Sequence, residues 1–109
     1  MSKVHASKIE FTNKIVTFIK NNYENKINKV VVFGESIDET IENPECLDIA
    51  VGFTDISYAT DYNMLGDIIS YMGEIVTKGN CTLAPIDPNQ ITTSCMTLIE
   101  KGVVVYGKT

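Results

Sequence analysis

The feature that most constrains this chain is an acidic residue inside an apolar run, Asp48 within residues 47–51. A buried carboxylate is energetically expensive unless it is hydrogen-bonded, paired, bound to a metal ion or placed at an open edge. A second apolar run, residues 30–33, ends directly at Gly34, and a glycine there lets the backbone approach another group closely. Because both features fall within residues 29–54, we expect two adjacent strands in this segment to organise the fold and to carry any functional site.

The alternation of side chains along a strand decides which residues can share a site with Asp48. Cys46, Asp48 and Ala50 point to one face of the second strand, and the three large apolar residues of the run point to the other. By the same alternation Glu45 lies on the face opposite to Asp48. The side chain next to Asp48 along this strand is therefore the Cys46 thiol.

The rest of the chain reads as supporting helices and strands. Apolar spacing predicts helices at residues 8–23 and 61–78 and strands at residues 30–33, 47–53, 81–86 and 103–106. A third helix is predicted to begin at Pro88, with its apolar stripe over residues 91–99. Ser7 with Glu10 forms a capping-box pattern, Asp61 and Asp87 are expected to cap the second and third helices, and Pro85 favours an edge position for the third strand. We expect one domain over residues 1–109, with a mobile start at residues 1–6. Its fold class is predicted as α/β (α+β), a small mixed sheet of three to four strands flanked by helices.

Composition argues against several classes of site. The chain has no arginine and a net charge of −5, so general nucleic-acid binding is not expected. Its three cysteines lack CxxC spacing and its only histidine is His5, which argues against a zinc site. No apolar run approaches the roughly 20 residues of a membrane span. The odd number of cysteines and the lack of a signal-peptide pattern predict a cytoplasmic protein with free thiols.

Residues 29–54 resemble the signature of the nucleotidyltransferase superfamily that includes polymerase beta, in its smallest stand-alone form. In that family an apolar strand is followed by Gly-Ser, a short spacer, and Asp-apolar-Asp on the next strand. Gly34 matches the glycine and Asp48 matches the second Asp, whereas Glu35 stands at the usual serine and Cys46 at the first Asp. The order of elements over residues 8–107 is also that of the family.

The resemblance implies a nucleoside triphosphate held at Gly34, Glu35 and Ser36, and Mg²⁺ held by Asp48. A nucleoside monophosphate would be transferred to a hydroxyl of a protein or a small molecule. The family's third acid lies on the third strand, where residues 81–86 contain none, and Cys46 replaces a hard oxygen ligand of the kind Mg²⁺ prefers. The chain is therefore predicted to be a degenerate member with impaired or lost nucleotidyl transfer.

Three functions stay open at this point. The chain is first predicted to be a binding or regulatory module, acting with a helical partner protein as in the toxin-antitoxin pairs of the family, or as a nucleotide sensor. The second is an active Mg²⁺-dependent enzyme, in which Glu35 or Glu39 rebuilds the metal site. The third is a self-associating structural domain without a ligand, since Asp48 could simply accept hydrogen bonds from the backbone of residues 34–36. A partly open sheet face is expected to receive a partner or a second copy.

Overall fold

The structure, a computed structural model, describes residues 3–76, 79–87 and 93–107, without the side chains of residues 93–95. The elements in chain order are α1 (Ile9–Tyr23), β1 (Ile27–Phe33), β2 (Cys46–Phe53), α2 (Tyr62–Ile75), β3 (Asn80–Pro85), α3 (Thr93–Glu100) and β4 (Val103–Gly107). Single 3₁₀ turns precede α1, follow β1 and precede α2, at Ala6–Lys8, Gly34–Ile37 and Ile56–Thr60.

The four described strands form one mixed sheet in the order β3-β2-β1-β4. The central strand β1 is antiparallel to both of its neighbours, and β2 pairs in parallel with β3 at the edge. The predicted mixed sheet, the adjacency of β1 and β2, and the edge position of β3 are therefore confirmed. In this register Phe33, the last residue of β1, lies opposite Asp48.

Both faces of β1 are covered, as its uninterrupted apolar sequence predicts. One face packs against α1 and α2, and this layer contains Val30, Val32, Leu47, Ile49, Val51, Ile15, Ile19, Ile68 and Met72. The other face carries Val31, Phe33 and Ala50 against Ile99 of α3. The predicted alternation along β2 is confirmed, because its large apolar residues all face the α1–α2 layer and Ala50 faces α3.

Two predicted helix boundaries are wrong. Ser7 does not cap α1, because residues 6–8 form a 3₁₀ turn in which the Ser7 N–H donates to Nδ1 of His5. Helix α2 ends at Ile75 rather than at residue 78, since Val76 has an extended backbone. At the other end of α2 the predicted cap is confirmed, with the Asp61 carboxylate accepting the Met64 N–H at 3.1 Å. The predicted start of the third helix at Pro88 lies outside the described residues.

The chain start, expected to be mobile, contacts the loop after β1 through His5. The His5 N–H donates to the Ser36 carbonyl at 2.7 Å, and Nε2 of the His5 ring lies 2.9 Å from the Ile41 carbonyl. The beginning of α1 is thereby placed beside the Gly34–Ile37 turn. Among the described residues no helix combines the length and apolarity needed to cross a membrane.

Candidate functional site

The turn after β1 requires glycine at position 34 for two reasons. Gly34 has φ +63°, a left-handed conformation that L side chains rarely adopt. A Cβ atom at this position would also lie 2.6 Å from Oδ2 of Asp48, too close for a non-bonded contact. The predicted close approach at Gly34 is therefore present, and the group that approaches is the Asp48 carboxylate.

Ser36 joins this turn to the beginning of β2. Its side chain is fully buried, and its Oγ donates to the Cys46 carbonyl at 2.8 Å while accepting the Asp48 N–H at 3.0 Å. The sequence assigned Ser36 to nucleotide binding. In the structure its hydroxyl satisfies two backbone groups of β2, so this side chain supports the fold, and the assignment to nucleotide binding stays a prediction.

The Asp48 carboxylate is held by donors of the chain itself. It accepts hydrogen bonds from the Thr82 side chain and from the backbone N–H of Glu35. Thr82 is the residue opposite Asp48 in the parallel β2–β3 register. Burial raises the pKa of Asp48, and the Glu35 carboxylate acts in the same direction, whereas the two hydrogen bonds and the Lys8 charge lower it. The expectation that Asp48 accepts hydrogen bonds from the turn is therefore met at Glu35.

Cys46 and Glu35 lie beside this carboxylate. Burial raises the pKa of the Cys46 thiol, as do the charges of Asp48 and Glu35 and the thiol's hydrogen bond to Glu35. The thiol is therefore neutral near pH 7, and a neutral thiol is a poor ligand for Mg²⁺. One oxygen of Glu35, Oε2, is buried without a hydrogen-bond partner among the described residues.

The donor set around Asp48 does not fit a two-cation site. Within the ranges that the structure describes, no group of three or more His, Cys, Asp or Glu side chains is placed to hold a metal ion. Glu39, which the sequence offered as a replacement ligand, instead forms an ion pair with Lys3 at 3.5 Å. In the described part of the chain Glu35 is thus the one additional carboxylate that interacts with Asp48, and Mg²⁺ favours several oxygen ligands in octahedral geometry.

Sequence reasoning missed Lys8, which lies at this site. Only 6% of Lys8 is exposed, and its positive charge lowers the pKa of both Asp48 and Cys81. A signal was present in the helical spacing, because position 8 continues the buried stripe of Thr12, Ile15 and Ile19. Lysine is normally a surface residue, so its type gives no hint of burial at this position.

Comparison with known proteins supports the fold. No protein-family model and no curated protein matches the sequence. Chains in crystal structures of the toxin-antitoxin MntA-HepT are similar in structure. Two mutant forms give TM-scores of 0.68 and 0.66 at 18% and 16% identity, covering 90% and 89% of this chain and 73% of each matched chain. The unmutated form gives 0.62 at 18% identity, covering 88% of this chain and 69% of the other. This likeness confirms the predicted minimal nucleotidyltransferase-like fold.

Replacing Ser36 with alanine tests how strongly the turn depends on its hydroxyl. Ser36→Ala leaves the Cys46 carbonyl and the Asp48 N–H without their partner, so we expect a loss of about 1–3 kcal/mol in the free energy of unfolding. Urea denaturation measures this loss, with Ser70→Ala on the exposed surface of α2 as the control. If the two variants agreed within about 0.5 kcal/mol, the hydroxyl would not hold the turn.

Proposed function

We propose that this chain uses a nucleotidyltransferase fold without efficient nucleotidyl transfer and acts as a binding or regulatory module with a partner protein. The observation that carries the proposal is the state of Asp48. Its carboxylate is engaged by Thr82 and by the turn, and its neighbour along β2 is the neutral thiol of Cys46. The one acid that matches the metal-binding motif is thus hydrogen-bonded to neighbouring parts of the fold.

The loss of transfer follows from what metal-assisted phosphoryl transfer requires. Two cations stabilise the attacking and leaving oxygens, and the protein must hold both cations with oxygen ligands. The resemblance places acids at the positions of Cys46 and of the third strand, where Thr82 now donates to Asp48. Since losing outer partners of metal ligands already costs about 10–100-fold in affinity or activity, losing the ligands themselves should cost more.

Two observations support a role with a partner protein: the source of the similar structures and the exposed apolar side chains of this chain. The similar chains come from crystal structures of a toxin-antitoxin system, MntA-HepT. This chain also exposes several large apolar side chains that its own core does not cover, namely Ile9, Ile56, Tyr62, Ile69 and Leu98. Scattered apolar residues are normal on a surface, so they provide contact area for a partner without locating the interface.

One observation favours an active Mg²⁺-dependent enzyme as the alternative. Glu35 replaces the usual serine of the motif, and its Oε2 is buried beside Asp48 without a hydrogen-bond partner among the described residues. A cation between Glu35 and Asp48 would satisfy that oxygen. Against this alternative, the two acids are the only carboxylates of the described chain that meet there, and Asp48 already accepts two hydrogen bonds.

Restoring the missing acids tests whether their loss disabled the site. We expect the double variant Cys46→Asp/Thr82→Asp to be less stable than wild type without metal, because the two new carboxylates repel those of Asp48 and Glu35. Mg²⁺ should recover its stability, adding about 2.7 kcal/mol at a hundred times the dissociation constant. Thermal unfolding with and without Mg²⁺ and nucleoside triphosphates measures the effect.

The matched control is Cys46→Asn/Thr82→Asn, which has nearly the same shape without the charges and should not respond to Mg²⁺. Wild type should also show no Mg²⁺-dependent shift with any nucleoside triphosphate. A wild-type shift that requires both Mg²⁺ and one nucleotide would favour the enzyme alternative and contradict the proposed loss of transfer.

The partner part of the proposal predicts a complex of fixed stoichiometry. We expect this chain, when expressed together with the product of the neighbouring coding sequence, to elute with it in size-exclusion chromatography with light-scattering detection. A monomer eluting apart from that product would contradict this part. A homodimer would favour the self-associating structural domain instead.

A further inference from the structure

Lys8 is a largely buried cation to which the described residues offer no direct partner. Only 6% of the residue is exposed, and its ammonium group makes no hydrogen bond or ion pair with any residue that the structure describes. Lysine is rarely so buried unless it is paired. Nζ of Lys8 is not among the buried side-chain atoms that lack a partner in the described part of the chain, so the stem is buried and the ammonium group keeps contact with solvent. Its charge reaches Asp48 and Cys81 only through space, as a lowering of their pKa values. The ammonium group therefore has unused hydrogen-bonding capacity.

Lys8 lines a cavity of about 620 Å³ at the beginning of α1. The walls come from three segments that meet there, with lining residues Ser7, Lys8, Phe11, Asn43, Pro44, Glu45 and Gly79. Residues 43–45 directly precede β2, so the cavity adjoins the strand that carries Cys46 and Asp48. Its volume exceeds the need of a simple ion, and Phe11 and Pro44 add apolar wall for an organic group.

The charges around this cavity favour an anion at Lys8. Besides the ammonium group, the N-terminus of the 15-residue helix α1 contributes positive potential, and no side chain caps it. Two acids oppose an anion. Glu45 in the wall is exposed, so solvent and salt screen its charge, and Asp48 is not among the residues that line the cavity. A doubly charged group with three acceptor oxygens matches lysine donors and a helix N-terminus better than a carboxylate does.

We propose that Lys8 and the N-terminus of α1 bind the phosphoryl group of a phosphate ester or polyphosphate in this cavity without a metal ion. This inference rests on the proposed function, because the lysine supplies positive charge to a site that lacks metal-binding acids. The ligand of the proposed binding module is then a phosphate ester or a polyphosphate. Because the contact is between charges at an open cavity, binding weakens as salt concentration rises.

Binding measured in EDTA tests this proposal. The probes are inorganic triphosphate and ATP, titrated by calorimetry into wild type, Lys8→Gln and Lys20→Gln. We expect both probes to bind wild type and Lys20→Gln alike, and Lys8→Gln about tenfold more weakly or worse, since hydrogen bonds to charged groups are strong. Lys20 is the matched control, being an exposed lysine of the same helix. Tighter binding of ATP than of triphosphate would identify a nucleotide as the source of the phosphoryl group.

If Lys8→Gln does not fold, backbone amide NMR of the wild-type protein can locate the binding site without a variant. Triphosphate in EDTA should shift the signals of Ser7, Lys8 and Gly79, and leave those of β4 unchanged. Failure of both probes to bind, shifts confined to other regions, or equal affinities of the two glutamine variants would overturn the proposal. Mg²⁺-dependent nucleotide binding by wild type would instead contradict the proposed loss of transfer, so the two failures are distinguishable.

Discussion

The carboxylate of Asp48 connects three parts of the sheet at one point. It accepts the Glu35 N–H from the turn after β1, it belongs to β2, and it accepts the Thr82 side chain from β3. The contact is possible because Gly34 has no Cβ, which would otherwise lie 2.6 Å from the carboxylate. Ser36 closes the same turn onto β2 with two further hydrogen bonds. Donors from both neighbouring segments offset part of the cost of this charge in an apolar strand, although burial still raises the pKa of the carboxylate.

This use of Asp48 determines what chemistry the site retains. A carboxylate that has neighbouring acids can hold a cation, whereas here its neighbours are a neutral thiol, a hydroxyl donor and the carboxylate of Glu35. The same arrangement leaves Lys8 as the nearby positive charge in a buried position. The two proposals share this physical basis: if the two described carboxylates that meet there, Asp48 and Glu35, do not hold metal ions, a phosphoryl group can be recognised through the ammonium group and the end of α1.

Much of this architecture could be predicted from the sequence, because the signals are local and strong. The apolar run at residues 30–33 predicted a central strand, and period-two alternation predicted the faces of β2. Gly34 predicted a close approach, and Asp61 predicted a helix cap. The predictions that concern transfer activity, Mg²⁺ and the nucleotide depend on ligands, and they stay predictions.

The features that sequence reasoning missed depend on tertiary contacts. Ser7 fits the capping-box pattern, but both its N–H and its hydroxyl bond to Nδ1 of the His5 ring, whose Nε2 contacts the carbonyl of Ile41. Thr82 shows its role only once β3 is placed in parallel register beside β2. Lys8 continues a buried helical stripe, but its burial is hard to predict from the sequence because lysine is normally a surface residue.

A paramagnetic Mn²⁺ titration of the wild-type protein tests the central claim that Asp48 serves the fold rather than a metal ion. Bound Mn²⁺ broadens the NMR signals of nearby residues, so broadening reports occupancy without requiring a known reaction. The titration is made without a nucleoside triphosphate, because a bound triphosphate would itself carry Mn²⁺ into the neighbouring cavity. We then expect no saturable broadening centred on Cys46, Asp48 and Thr82. Saturable broadening centred on Asp48 and Glu35 would show that these two carboxylates hold a cation, and it would contradict this account.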